Sequence, residues 1–244
     1  MTHPTVSDVD LEANLYRQKR YEETYQTHVD PWNYSSYADR IRFQTIANTA
    51  RHWFPNPNRS LDVACGLGQL TVLLDEFSQR VFAYDFAPSA VQRTRERCEQ
   101  AGCREVQVDV RDATDPGYEQ NFFDLILLSD MDVSGNRDWW CHVLAIHREF
   151  LTENGLIIAC SRIRASERAQ FDENFLKLGG TVLDRIYFHD RYWFKASSIV
   201  RRVMPRQIAT DLLGQAWLFH TAKTLGRVTG TTGSIHYGVV VRFA

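Results

Sequence analysis

Between residues 59 and 162, short apolar runs alternate with segments of helical spacing, and this alternation constrains the fold more than any other feature. "SLDVAC" (60–65), "RVFAYD" (80–85), "VQVDV" (106–110), "FDLILLSD" (123–130) and "LIIACS" (156–161) read as strands. "GQLTVLLDEFSQ" (68–79), "PSAVQRTRERCEQAG" (88–102) and "RDWWCHVLAIHREFLTENG" (137–155) have helical periodicity. Two of the strands, "FDLILLSD" and "LIIACS", show little polar alternation, which is the pattern of a strand covered on both faces. Strands interleaved with helices in this way predict an α/β fold with a doubly wound, mostly parallel sheet.

The flanks extend that core. Residues 10–29 read as a polar helix. "DPWNYSSYADRIRF" turns through Pro31 into a second helix that runs to about Trp53, and "PNPNR" (55–59) ends it. After Arg162 the chain predicts a helix over 166–178, a strand over "TVLDRIYFH" (181–189), a mixed, largely helical stretch over 191–227 and a last strand, "SIHYGVVVRF" (234–243). The expected organisation is one domain with seven strands. It has an N-terminal helical cap (1–56), a ligand-binding core (57–162) and a C-terminal part (163–244) with an insertion at about 191–233 between the last two strands.

Composition excludes some classes and leaves others open. A net charge of −2 gives no reason to expect nucleic acid or a membrane surface as partner. No apolar run approaches the ~20 residues of a membrane span, and the N-terminus lacks a signal-peptide pattern. Five scattered cysteines offer neither a disulfide framework nor metal spacing. A cytoplasmic protein without a metal is expected. Its partners are a small-molecule substrate and, as one option, a second copy of the chain.

The turn after the first strand, "DVACGLGQL", carries the functional signal. Gly66 and Gly68 lack Cβ atoms, so the backbone can turn sharply and let a ligand approach. It lies at the carboxyl end of a strand, where open parallel sheets bind ligands. Asp85 ends the second strand, 19 residues after Gly66, and is placed to accept ribose hydroxyls. Asp112, in "VRDAT" after the third strand, could accept from an adenine amine. A dinucleotide turn would have a third glycine where Thr71 stands, and no G-K-[ST] follows to make a phosphate loop. Asp62, four residues before Gly66, suits a cationic ligand and not a pyrophosphate. Adenosine without phosphate, bearing an amine and a sulfonium, points to S-adenosylmethionine.

"LDVACGLGQL … VFAYDFAPSAVQRTR … VRDAT … FDLILLSDM … EFLTENGLIIA" resembles the class I S-adenosylmethionine-dependent methyltransferases over about residues 58–162. The resemblance implies a Rossmann-like methyltransferase fold. It also implies cofactor contacts from Gly66 and Gly68 on the methionine part, Asp85 on the ribose, Phe86 on the adenine face, and Asp112 with Ala113 on the adenine edge. Ala64 stands where the family often has glycine, and Ser129 at the end of the fourth strand faces the methionine and methyl. The leading segment "DPWNYSSYADRIRF" resembles that of rhizobial nodulation-factor N-methyltransferases. That similarity implies that Tyr37 and Arg40 cap the cofactor, with Arg40 pairing its carboxylate, although Ala38 replaces the usual acid.

Methyl transfer from a sulfonium is an in-line displacement that mainly needs alignment and exclusion of water, so no strong catalytic motif is expected. Asp130 and Asp132, after the fourth strand, could orient an amine or polarise a hydroxyl. His189, in the aromatic "YFHDRYWF", could serve as a base beside Asp190. His142 and His147 read as structural. Between residues 184 and 227, eight Lys/Arg face three Asp, a basic stretch that reads as a solvated face. The expected activity is methylation of nitrogen or oxygen on a sugar or secondary metabolite. The alternatives are an NAD(P)-dependent oxidoreductase, a non-catalytic adenosine-ligand-binding module, and a methyltransferase of nucleic acid or protein. The last lacks its Asn-Pro-Pro-Tyr signature here.

Overall fold

The structure is a computed structural model and describes residues 8–131, 137–188, 191–205 and 233–243, with a few single positions between the last two ranges. In chain order the elements are α1 (Asp8–Thr27), α2 (Tyr37–Trp53), β1 (Arg59–Val63), α3 (Gln69–Asp75), β2 (Arg80–Asp85), α4 (Pro88–Ala101) and β3 (Val106–Val110). They continue with β4 (Phe123–Ser129), α5 (Arg137–Glu149), β5 (Leu151–Arg162), α6 (Arg168–Lys177), β6 (Gly180–Phe188), α7 (Arg191–Val203) and β7 (His236–Phe243).

The strands form one seven-stranded sheet in the order β3-β2-β1-β4-β5-β7-β6. All neighbouring pairs from β3 to β5 are parallel, and β7 runs antiparallel between β5 and β6. The mostly parallel sheet expected from the alternating pattern is therefore present, closed by one reversed strand. The order reverses between β1 and β4. Their carboxyl ends therefore open the crevice where such sheets bind ligands.

The continuous apolar run of β4 is explained by its two covered faces. Ile126 and Leu128 join Leu61, Val63, Trp140 and Val143 in the core beneath α5 and α6. Leu125 and Leu127 point the other way, against Phe43, Ile46, Leu70 and Leu74 of α2 and α3. Each fully buried leucine contributes roughly 1.5–3 kcal/mol, so both layers are held firmly to the central strands.

One sequence expectation is corrected here. The helical pattern of the sequence runs through "FLTENG" (150–155), but α5 stops at Glu149 and β5 already begins at Leu151. The N–H groups of Phe122 and Phe123 both donate to the Phe150 carbonyl at 2.8 Å, and Leu151 pairs with Phe123 before an irregularity restores register at Leu156. Gly155 permits this bulge. A Cβ there would sit 3.0 Å from the Thr152 carbonyl and 3.1 Å from that of Phe123. Tertiary pairing with β4 overrides the local helical period.

Candidate active site

The turn after β1 is built from left-handed residues. Ala64, Gly66 and Gly68 have φ of 56°, 57° and 77°. Gly68 is required twice over. Its conformation disfavours a side chain, and a Cβ would lie 2.9 Å from Thr94 Cγ2 and 3.1 Å from Thr94 Cα. Ala64 adopts the same region with a Cβ present, a strain of about 1–2 kcal/mol concentrated where the crevice opens.

Asp85 holds this turn against β2. Its carboxylate accepts the Gly66 N–H at 3.1 Å and the Ala87 N–H at 3.0 Å. Burial pushes its carboxyl up to about 6, while the backbone bonds pull in the opposite direction. Asp62 lies deeper below the turn and accepts from the Thr71 hydroxyl at 2.6 Å; burial raises it to about 7. Thr71, which breaks the dinucleotide pattern, thus has a structural partner in Asp62. Asp112 closes its own turn by accepting the N–H and hydroxyl of Thr114 at 2.7 and 2.6 Å, and Ala113 packs at the edge of the core.

Helix α1 covers the far side of this ledge. Phe86 lies 5.5 Å from the Tyr21 ring, and its carbonyl accepts from Gln18 at 2.9 Å. Glu22 accepts the N–H and hydroxyl of Ser89 at the start of α4.

Between the glycine turn and the end of β4 is a small open cavity, whose lining includes Tyr34, Phe43, Asp62, Ala64, Gly66, Gln69, Ser129 and Asp130. Asp130 has φ of 57°, and its N–H donates to the Cys160 carbonyl at 2.8 Å. One carboxylate oxygen of Asp130 is ion-paired with Arg42, and the other lies 3.8 Å from His236 Nε2. The Arg42 guanidinium also grips Asp39, at 2.8 Å from Nη2 and 3.1 Å from Nε. The Arg42 side chain is only 5% exposed, and its two carboxylates push its titration upward against the effect of burial. Ser129 Oγ is buried in the cavity wall with no hydrogen-bond partner among the described residues.

The cavity gathers Ala64, Gly66, Ser129 and Asp130, with Asp85 tied directly to the turn. Arg40 is not among them. It is exposed and lines an adjoining groove with Gln44, Arg97 and Gln100, which shares Phe43 and Gln69 with the cavity. Tyr37 opens α2. Asp132 and His189 lie outside the described residues. Sequence reading missed Arg42, Asp39 and His236. A signal for the first two existed. Ser36 and Asp39 are spaced as a helix-start box, and Arg42 falls four residues before the buried Ile46, on a face where an arginine needs carboxylates.

His147 is a core group, as its helical context implied. It is fully buried, with Nδ1 bonded to the Val143 carbonyl at 2.7 Å and Nε2 to the Tyr84 hydroxyl at 2.6 Å. Burial lowers its pKa to about 4, so the ring is neutral, donating from Nδ1 and accepting at Nε2. Among the described residues no helix is long and apolar enough to cross a membrane.

The sheet order, the left-handed glycine turn and the acid after β2 together define a class I S-adenosylmethionine-dependent methyltransferase fold. Residues 61–155 match the family model described as a methyltransferase domain. Among solved structures, the chain is similar to N-methyltransferase NodS from Bradyrhizobium japonicum WM9 in complex with S-adenosyl-L-homocysteine. The TM-score is 0.65 at 14% identity, covering 93% of this chain and 97% of that one. It is equally similar to a Burkholderia thailandensis 1,6-didemethyltoxoflavin-N1-methyltransferase (TM-score 0.65, 14% identity, 100% and 93% coverage). The [4+2]-cyclase SpnF shares the fold at a TM-score of 0.58 and 14% identity, with 84% and 80% coverage. No curated protein sequence matches the chain.

Proposed function

We propose that this protein methylates a small molecule, at an amine or hydroxyl of a sugar or secondary metabolite, using S-adenosylmethionine. The observation that carries the reading is the cavity between the glycine turn and Asp130, where a buried hydroxyl, Ser129 Oγ, is left without a partner. Of the buried side-chain polar atoms without a partner among the described residues, Ser129 Oγ is the one that lines this cavity, where a bound group can complete it. The residues fit the cofactor in other respects. The glycine turn gives a side-chain-free cradle, and Asp85 presents a carboxylate at the strand end.

The cofactor supplies an electrophilic methyl on a sulfonium. The protein supplies placement: the glycine turn sets the depth of the site, and Asp85 receives hydroxyl groups. Asp130 accepts an N–H or O–H of the acceptor, so that the acceptor's lone pair faces inward. Tyr34 and Phe43 wall the cavity against water. An amine arriving as an ammonium must lose a proton before attack. Asp130 in the cavity wall and His236, 3.8 Å from it, are described groups placed to take it. Asp132 and His189 remain proposed contributors from the sequence, as do Tyr37 and Arg40 for the cofactor's carboxylate end.

The test is calorimetric titration with S-adenosylmethionine, S-adenosylhomocysteine and NAD, followed by methyl transfer to a panel of amino sugars, primary amines and phenols. Micromolar binding of the two sulfur ligands together with labelled product is expected. Binding of NAD alone would refute the reading. Binding of the sulfur ligands without turnover on the panel would refute its acceptor classes and favour another use of the fold, as the similarity to a cyclase allows.

A further inference from the structure

A chain of polar contacts links the leading "DPWNYSSYADRIRF" segment to the Ser129–Asp130 end of the cavity. Asp30 accepts the N–H groups of Tyr34 and Ser35, both at 2.8 Å, and so shapes the loop before α2. Ser36 caps α2 by accepting the Asp39 N–H at 3.2 Å and donates its hydroxyl to Asp39 at 2.6 Å. Asp39 grips Arg42, and Arg42 reaches across 88 residues of sequence to Asp130. Asp130 is in the left-handed region, with its N–H donating to the Cys160 carbonyl.

Two features argue that this network serves the site as well as stability. Removing a buried guanidinium and two carboxylates from water is expensive, and an apolar trio of the same volume would hold α2 to the sheet as well or better. The network also ends at the cavity and not in the core: Asp130 and Ser129 Oγ both line it, and Ser129 Oγ lacks a partner.

We infer that Arg42 is a positioning residue: anchored by Asp39, it fixes the Asp130 carboxylate so that its free edge, with Ser129 Oγ, forms a receptor for an N–H-bearing group at the methyl position. The inference rests on the proposed use of S-adenosylmethionine and goes beyond it in assigning Arg42 a part in recognition at the methyl position, distinct from the cofactor-carboxylate pairing expected of Arg40. One oxygen of Asp130 is used by Arg42, and the second is turned toward His236 and the cavity. A lysine at position 42 can keep one contact of the fork, and an apolar residue keeps none.

The probe is sinefungin, the cofactor analogue that carries a protonated amine where S-adenosylmethionine has its methylsulfonium. It reports on the methyl position without knowledge of the acceptor. Calorimetry would compare sinefungin with S-adenosylhomocysteine in the wild type and in Arg42→Met, Arg42→Lys and Asp130→Asn, each checked for folding by its unfolding midpoint. The wild type should prefer sinefungin at least tenfold. That preference should vanish in Arg42→Met and Asp130→Asn and partly survive in Arg42→Lys, while affinity for S-adenosylhomocysteine stays within about threefold. A preference unchanged in Arg42→Met, or absent from the wild type, overturns the inference and leaves the cofactor reading intact. So does an equal loss of both ligands in Arg42→Met, which marks a merely structural role. If Arg42→Met does not fold, Arg42→Lys and Asp130→Asn decide alone, and full preference in Asp130→Asn overturns the inference. If neither nucleoside binds the wild type, the cofactor reading falls and this inference with it.

Discussion

Replacing Asp85 with asparagine should separate ligand binding from folding. In the free protein its buried carboxylate accepts two backbone N–H groups and titrates near 6, against a reference of 3.8. A raised folded pKa means that the folded state holds the proton more tightly. The associated stability is complete below about pH 3.8 and is lost as pH rises through 6. At pH 7.5 the ionised carboxylate therefore costs about 3 kcal/mol. Asparagine relieves that cost but turns a donor toward one of the two N–H groups, losing roughly 1.5–3 kcal/mol. The two terms nearly offset, so the unfolding midpoint of Asp85→Asn should move little. Ligand affinity should not be spared. A ribose needs the ionised acceptor, so the variant should bind S-adenosylhomocysteine at least tenfold more weakly, about 1.4 kcal/mol. The wild type should show the same dependence by titration. With a carboxyl near 6, about a tenth of it is ionised at pH 5, so affinity should fall about tenfold between pH 7.5 and 5. Calorimetry at both pH values, on both proteins, measures this directly. If the wild type loses no more affinity on acidification than Asp85→Asn, the carboxylate is not the ribose acceptor and the reasoning fails.

Two further outcomes follow from the same geometry. Gly68→Ala should destabilise the protein by about 2 kcal/mol or more, since it combines a left-handed backbone with a 2.9 Å approach to Thr94; an unchanged denaturant midpoint would contradict this. His147 has a folded pKa near 4, below its unfolded 6.5, so its contribution is complete above pH 6.5 and is lost as pH falls toward 4. Between pH 7.5 and 5 this amounts to about 2 kcal/mol. His147→Gln should flatten that part of the stability curve, and a slope identical to the wild type would show that the ring is not buried neutral.

Much of the architecture was legible because its signals are local. The runs "FDLILLSD" and "LIIACS" can only be strands covered on both faces, and the glycines after β1 can only mark a sharp turn at a strand end. Asp85 could be placed by counting along a known unit of strand, turn and helix. The boundary of α5 was misread because "FLTENG" continues a helical period, while β4 offers Phe150 and Leu151 a better partner.

The sequence by itself determined the order of strands and helices, the glycine turn after β1 and the acid that ends β2, because each depends on neighbours within a few residues or one supersecondary unit. Only the tertiary structure decided which arginine reaches Asp130. Arg40 and Arg42 differ by two positions on one helix, a rotation of about 200°. The choice between solvent and Asp130 follows from how α2 lies on the sheet. The pairing of Arg42 with Asp130, and of Asp130 with His236, joins three distant segments at the end of one sheet. No local pattern encodes such a meeting, because it exists only once the hydrophobic faces of those elements have been buried together.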